Sequence, residues 1–350
     1  MVVLAGVDPI MLWGGFLLLV GIMLAIDLGV FNRKAHVITI TEALLWAGVW
    51  FGMAMLFNAW VYYEFGSKTA LEFFTGYLIE KSLSVDNLFV FLLIFTAFNI
   101  PRTLHHRVLF WGILGAIITR GIFIGLGSAI IEHFTWAFFI FGMVLLYGAY
   151  KMRFNKEEKF DPDTSLIVRF TRKIMPFSSN TTSDHFFTKE HGKIAVTTLF
   201  LTLVTIELTD IVFAFDSIPA IFAITTDPFI IFTSNIFAIL GLRSLYFVLE
   251  GMQEMFAYLK DGLSVILLFI AVKLMLKPFH IEIPILISLG IIILVLSGSI
   301  AASLFRRKTP ICQTVIATKS IVKAPAQKTI SGMITTQPLK PVHDSKKKKR

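Results

Sequence analysis

A succession of nine long apolar stretches, each interrupted by few charged residues, limits the folds open to this chain. A helix needs about 20 mostly apolar residues to cross the hydrocarbon core of a bilayer. The stretches that meet or approach this length are 10–31, 40–62, 71–95, 108–131, 134–150, 194–220, 229–249, 262–276 and 283–305. Only 16% of the residues are charged, against about 25% in a soluble domain. The sequence therefore predicts an all-α polytopic membrane helix bundle with about nine transmembrane helices.

Positive charge predicts the orientation of these helices. Cytoplasmic connections carry an excess of Lys and Arg. With nine spans, the basic residues gather on one side, in the connections that hold Arg33, Lys34, Arg102 and Arg107, in the segment 151–193 and in the tail 306–350. The N-terminus is therefore predicted to lie outside and the C-terminus in the cytoplasm, in a multi-pass protein of the cell inner (plasma) membrane. The net charge of +9 is assigned to these loops, so the lipid bilayer is the expected partner and nucleic acid is not.

The chain is predicted to have one membrane domain, residues 1–305, and a basic, disordered cytoplasmic tail, residues 306–350. The N-terminal residues lack the basic region of a cleaved signal peptide, so the first stretch is predicted to be a retained helix. Residues 152–193 form the largest predicted cytoplasmic loop, and within it 163–176 has the pattern of a short amphipathic helix on the inner leaflet. The single cysteine, Cys312, excludes a disulfide framework and a cage of thiolates around a metal.

Two parts of the chain share three features in the same order. An acidic residue is followed six positions later by Asp, then by an Arg and then by a Lys. The matched pairs are Glu80 with Asp210, Asp86 with Asp216, Arg120 with Arg243 and Lys151 with Lys273. The two units, 71–151 and 194–273, each hold three predicted helices, so the second unit enters the membrane from the opposite side. The sequence therefore predicts an inverted three-helix repeat, which in secondary transporters places the binding site near the midplane.

Three acids lie in the sixth apolar stretch, where Glu207, Asp210 and Asp216 are the only charged residues between positions 199 and 224. An ionised carboxylate at the bilayer centre costs about 2.5–3.5 kcal/mol on insertion scales. A bound cation would offset this cost, and carboxylates with the nearby Ser and Asn side chains form an oxygen-only set that suits a hard divalent cation such as Mn²⁺, Mg²⁺ or Ca²⁺. Asp210 and Asp216 point about 120° apart on a straight helix, so a break caused by Pro219 is expected to aim them at one site.

The alternative is that the acids only tie helices together. Basic side chains are as costly inside a membrane as acidic ones, so neutral pairing is natural. The candidate ion-pair or gating partners are Arg120, Arg243, Lys151 and Lys273. The two arginines are interpreted as partners that hold the acids. Asp27, which lies outside the repeat, is expected to be a helix-end or capping residue. His105 and His106 are expected to face solvent in a cytoplasmic loop.

At these acids the chain resembles the TerC family of integral membrane proteins. The resemblance is carried by EKSLSVDNLFVF, which begins at Glu80, and by IELTDIVFAFDSIPAIFAIT, which begins at Ile206. It covers about residues 10–305 and departs from the family pattern at Thr198, where Pro is expected. The family is linked to tellurium resistance and, for some members, to manganese export. The resemblance implies a metal site made of Glu80, Asp86, Asn87, Glu207, Asp210 and Asp216.

Three functions therefore stay open. The first is export of a divalent cation, Mn²⁺ above all, with protons as a possible counter-ion and no tightly bound cofactor. The second is export of an amino acid or small organic cation, which Phe213 and Phe215 could surround with aromatic rings. The third is a membrane assembly factor that does not transport and binds other membrane proteins through its basic segments. An enzyme is not expected, because the sequence has no nucleophile–base constellation, HExxH motif or glycine-rich phosphate loop.

Overall fold

The computed structural model describes residues 8–31, 39–154, 185–190, 193–251, 258–279, 281 and 283–306. Its helices are α1 (Pro9–Phe31), α2 (Ile40–Ala97), α3 (Arg102–His133), α4 (Ala137–Phe154), α5 (Thr198–Phe222), α6 (Pro228–Leu240), α7 (Leu242–Gly251), α8 (Leu259–Leu276) and α9 (Ile285–Arg306), with a 3₁₀ turn at Lys277–Phe279. These residues belong to one compact unit, Met1–Arg307, and a second unit, Lys308–Arg350, lies outside the described residues. The predicted amphipathic helix at 163–176 also lies outside them.

Helix α2 is a hairpin of two helical arms. The chain reverses at Gly66, whose φ of 85° and ψ of 175° are not helical. The rings of Phe51 and Tyr77 lie 6.2 Å apart and those of Phe57 and Phe73 lie 5.4 Å apart. In a straight helix Phe51 and Tyr77 would be separated by about 39 Å. The two arms, 40–65 and 67–97, are therefore antiparallel, and the predicted stretches 40–62 and 71–95 lie one on each arm.

The helix of the sixth predicted stretch, 194–220, begins later than predicted. Residues Lys193–Val196 form a strand, β2, which pairs antiparallel with β1 at Phe187–Glu190. Helix α5 then begins at Thr198, and the hydroxyl of Thr197 accepts a hydrogen bond from the amide of Phe200. Apolar composition did not distinguish the strand from a helix. Thr198 occupies the first helical position, where Pro is favoured because its missing N–H has no helical partner.

Helix α5 runs unbroken through Pro219, so the break expected there is wrong. Pro219 lies in the last turn, three residues before the helix ends at Phe222, where a missing hydrogen bond disturbs little of the helix. The break occurs in the next predicted stretch, 229–249, which divides into α6 and α7 with a bend of 43°. The bend is at Gly241, where a Cβ atom would lie 2.6 Å from the Nζ of Lys81.

Six helices among the described residues are long and apolar enough to cross a membrane, or seven if the bent pair α6 and α7 counts as one span. Large apolar side chains cover their outer surface, including Leu18, Ile118, Val212 and Leu294. The chain is thus a polytopic membrane protein built from α-helices. Within it, α2 packs against α6 and α7, α3 against α5, and α4 against α8. The buried core lies where the second arm of α2 meets α3, α5 and α6, among rings such as Phe73, Tyr77 and Phe237.

Candidate functional site

A fully buried arginine joins the acids of the two predicted repeat units. The guanidinium of Arg120, in the middle of α3, donates to the Oε1 of Glu80 and to both carboxylate oxygens of Asp210, at 3.3 and 3.5 Å. It also donates to the Oδ1 of Asn235 at 3.0 Å and the Oγ of Ser217 at 3.3 Å. The Nδ2 of Asn235 in turn donates to the Oε2 of Glu80 at 3.2 Å. We call these five side chains the Arg120 cluster.

All five residues of the Arg120 cluster are buried inside the protein. Glu80, Arg120 and Asn235 are 0% exposed, Ser217 is 1% and Asp210 is 4%. With both acids ionised, the two carboxylates and one guanidinium leave a net charge of −1. Electrostatic interactions are strong in such a low-dielectric site, so removal of either sign of charge leaves the other poorly compensated.

Four helices supply the cluster, and their local sequence explains how. Asp210 and Ser217 are seven residues apart on α5 and therefore lie on one face. Glu80 lies on the second arm of α2, one turn beyond Gly76. A Cβ atom at Gly76 would lie 2.9 Å from the Oγ of Ser234 on α6. The absence of a side chain at Gly76 lets α2 and α6 approach closely, and this approach brings Asn235 to Glu80.

Glu207 lies beside the cluster in a notch of α3. Its carboxylate occupies the place where Gly115 has no side chain, since a Cβ atom there would overlap it, and Gly112 lies one turn away. A small cavity of about 20 Å³ is lined by Glu207, Asp210 and Arg243 among other residues, which is room for about one water molecule. No hydrogen bond or ion pair joins Glu207 to another described residue.

The remaining predicted ligands lie elsewhere. Asp86 is half-buried and Asn87 buried on the second arm of α2, beyond Glu80, and the Nδ2 of Asn87 has no hydrogen-bond partner among the described residues. Asp216 is half-buried against α4, where a Cβ atom on Gly148 would lie 3.0 Å from its Oδ1, within Coulombic range of Lys151. Among the described residues, no three His, Cys, Asp or Glu side chains are grouped to hold one metal ion.

The basic residues matched in the repeat have different partners. Arg243 binds Asp27 on α1, with its Nη2 2.5 Å from the Oδ1, and both side chains are buried. The Nζ of Lys273 donates to the Oγ of Ser288 at 2.8 Å. The expectation that Asp27 is a helix-end or capping residue is therefore wrong, because Asp27 lies within α1, which ends at Phe31, and its carboxylate pairs with a buried arginine far away in the chain.

His105 is also placed differently from its expected position facing solvent. It is 5% exposed, stacks on Phe95 with ring centroids 4.1 Å apart, and contacts the hydroxyl of Tyr246 through its Nδ1 at 3.0 Å. Helix α3 begins at Arg102, so His105 is on that helix and shares the buried face of Val108 and Leu109. This spacing of three and four residues is the signal that could have indicated its burial.

Comparisons with known proteins agree with this architecture. The family model described as "Integral membrane protein TerC family" matches residues 65–310. An Escherichia coli (strain K12) protein named "Putative membrane-bound redox modulator Alx" is 47% identical over 291 residues, which cover 81% of this chain and 90% of that protein. A Myxococcus xanthus protein named "Uncharacterized membrane protein STKORF319" is 48% identical over 297 residues, with 85% and 93% covered. No solved structure matches the chain. The chain belongs to the TerC family of integral membrane proteins.

Proposed function

We propose that this protein is a transporter that exports a divalent metal cation, with Mn²⁺ as the first candidate, and that it is not an enzyme. One observation carries the proposal. Every hydrogen bond that the structure gives to the Arg120 guanidinium ends on a side-chain oxygen, from two carboxylates, one hydroxyl and one amide. Hard divalent cations select such an oxygen-only set. The guanidinium thus occupies the place of an internal cation.

A transported ion would compete with Arg120 for this place. Two carboxylates and one divalent cation are together neutral, so the ion would replace the guanidinium as the partner of both acids. The displaced guanidinium keeps its own charge, so the net charge of acids, arginine and ion changes from −1 to +1. We therefore propose that Mn²⁺ enters by displacing Arg120 from Glu80 and Asp210, and that Arg120 returns when the ion leaves. This exchange keeps the two acids paired in both states.

The inverted repeat and nine spans are part of the proposal. The second arm of α2, α3 and α4 would form one unit, and α5, the α6–α7 pair and α8 the other. The packing supports this, because α2 contacts α6 and α7 just as its counterpart α5 contacts α3. The two arms of α2 would add two spans to the seven found by length and composition. Glu80 and Asp210 hold equivalent positions in these units and bind the same arginine.

The other predicted ligands are proposed to act elsewhere on the path. Helix α5 is continuous between Asp210 and Asp216, which therefore point about 120° apart, and Asp216 lies against α4. We propose that Asp86, Asn87 and Asp216 meet the ion before or after the Arg120 cluster, with Lys151 as the ionic partner of Asp216. The orientation with the N-terminus outside, in the cell inner membrane, follows the positive-inside bias.

An organic cation is a weaker candidate. Recognition of an ammonium group by a cage of aromatic rings needs those rings at the site. Phe215 is 53% exposed on the outer surface and packs edge-on against Phe123, so it does not line the Arg120 cluster. A role in tellurium resistance is proposed on the family resemblance alone.

Manganese content of cells tests the proposal. In bacteria that lack their own manganese exporter, the wild-type chain is expected to lower cellular manganese under manganese load, and Asp210→Asn is expected to lose this effect. Asp261→Asn is the matched control, because Asp261 pairs with Arg153 at an exposed position and should export normally. If cells with the wild-type chain hold as much manganese as cells with an empty vector, the proposal is wrong.

A further inference from the structure

We propose that Asp27 is a positioning residue, which holds the guanidinium of Arg243 away from Asp210 and thereby keeps the acid site open to a cation. The inference rests on the proposed metal transport and adds to it a residue of α1, a helix outside the proposed repeat. It gives the pair of Asp27 and Arg243 a role besides the attachment of α1 to the bundle.

The first support is the position of Arg243. Its guanidinium binds Asp27, yet Arg243 also lines the small cavity that Glu207 and Asp210 border. This cavity of about 20 Å³ has room for about one water molecule, so little separates Arg243 from the two acids. A guanidinium released by Asp27 would therefore meet a carboxylate across the cavity.

The second support is that Arg243 needs an acid. The residue is 3% exposed, and a buried charge that loses its partner is costly. Arg243 lies in the first turn of α7, and the N-terminal end of a helix disfavours positive charge. Glu250, the other acid of α7, lies seven residues further on and binds Arg102. Without Asp27, the acids across the cavity are therefore the alternative partners of Arg243.

The third support is the balance of charges in the site. Arg120 and Arg243 are matched in the two proposed repeat units, but Arg120 binds acids of both units, whereas Arg243 binds Asp27 outside them. Glu80, Asp210 and Arg120 together carry a net charge of −1, which attracts a cation. A second guanidinium on Asp210 would make the site neutral and would give an entering ion two arginines to displace.

The seating of α1 shows how the pair fixes this arrangement. Near the start of α1, the rings of Trp13 and Phe229 lie 5.4 Å apart, and near its end Asp27 binds Arg243 on α7. An apolar groove of about 440 Å³ lies alongside α1, between this helix, the first arm of α2 and α6. Because packing along this groove is incomplete, the ion pair fixes the C-terminal half of α1 against α7.

Three variants separate a positioning role from a purely structural tie. Asp27→Asn keeps the size of the side chain but loses the charge that holds Arg243. The double variant Asp27→Asn, Arg243→Met removes both the holding charge and the guanidinium that would compete with the ion. Asp8→Asn is the matched control, because it makes the same change at the exposed start of α1, where the Oδ1 of Asp8 accepts a hydrogen bond from the amide of Ile10.

The first measurement is the Mn²⁺ affinity of the purified protein by titration calorimetry. If the released Arg243 occupies Asp210 in about nine of ten molecules, Asp27→Asn should raise the apparent Kd about tenfold. The double variant should return to an affinity near that of the wild type, and Asp8→Asn should equal the wild type. Wild-type affinity in Asp27→Asn would overturn the proposal. A weakened affinity that persists in the double variant would also overturn it, because a structural tie predicts that result.

The second measurement needs no metal. The thermal unfolding of Arg243→Met, Asp210→Asn and their combination gives a double-mutant cycle, which is measured once in the wild type and once in Asp27→Asn. Residues in contact have non-additive effects, so the coupling between Arg243 and Asp210 should be clearly larger in Asp27→Asn. Equal coupling in both backgrounds would overturn the role of Asp27. Wild-type protein that binds no Mn²⁺ would instead contradict the proposed function, and the cycle would still decide where Arg243 goes without Asp27.

Discussion

Arg120 and Asp210 lie on the neighbouring helices α3 and α5, and the guanidinium holds both carboxylate oxygens, at 3.3 and 3.5 Å. The same guanidinium binds Glu80 on the second arm of α2. A single buried base thereby connects three helices and the two acids that the repeat pairs with each other. The arrangement makes Arg120 both a structural tie and the competitor of any cation that enters.

Removal of Arg120 is expected to destabilise the protein. Arg120→Met leaves Glu80 and Asp210 buried and uncompensated, and loss of one partner of a buried pair costs about 3–5 kcal/mol. Thermal unfolding in detergent should show a clearly lower midpoint. Arg153→Met is the control, since its pair with Asp261 is more than half exposed on both sides and contributes about 0–1 kcal/mol. The triple variant Glu80→Gln, Asp210→Asn, Arg120→Met should recover part of the loss, and no recovery would argue against a charge effect.

The pair of Asp27 and Arg243 should couple α1 to α7. Both side chains are buried, so Asp27→Asn and Arg243→Met should each lower the unfolding midpoint. The double variant should lose much less than the sum of the two, because residues in one buried pair are not additive. Additive losses in this double-mutant cycle would show that the two side chains do not interact.

Close approach at Gly76 gives a prediction for helix packing. In Gly76→Ala the new methyl group would lie 2.9 Å from the Oγ of Ser234, and such overpacking costs about 1–3 kcal/mol. A second change, Ser234→Ala, removes the obstructing oxygen and should restore stability. Gly52→Ala, where nothing lies within 4 Å, should behave like the wild type. Equal stability of Gly76→Ala and Gly52→Ala would contradict the close contact of α2 and α6.

The reversal of α2 at Gly66 makes that residue sensitive to any side chain. Its φ of 85° with ψ of 175° lies in a region open in practice only to glycine, and a residue forced into it costs about 1–3 kcal/mol. Gly66→Ala should therefore unfold at a lower temperature than Gly48→Ala, which adds its Cβ atom in open space on the same helix. If the two variants unfold together, the turn is not at Gly66.

Much of the helical architecture could be read from the sequence, because crossing a bilayer requires long apolar runs. The sequence also singled out Glu80, Asp210 and Arg120 as costly charges inside the membrane. The repeat and the family resemblance assigned Glu80 and Asp210 to one site with the arginines as partners, but the sequence could not indicate that Arg120 alone binds both acids, since contacts between distant helices leave no local pattern. The strand at Lys193–Val196 was not predicted, because a short apolar run fits either a strand or a helix. Asp27 lies outside the repeat, so no matched residue indicated that it would pair with Arg243.

The competition between Arg120 and the transported ion can be measured as the Mn²⁺ affinity of purified protein by titration calorimetry. If Arg120 occupies the cation site, Arg120→Met should bind Mn²⁺ more tightly than the wild type, while Glu80→Gln should bind it more weakly. A loss of affinity in Arg120→Met as large as that in Glu80→Gln would contradict a site where the guanidinium and the metal exchange.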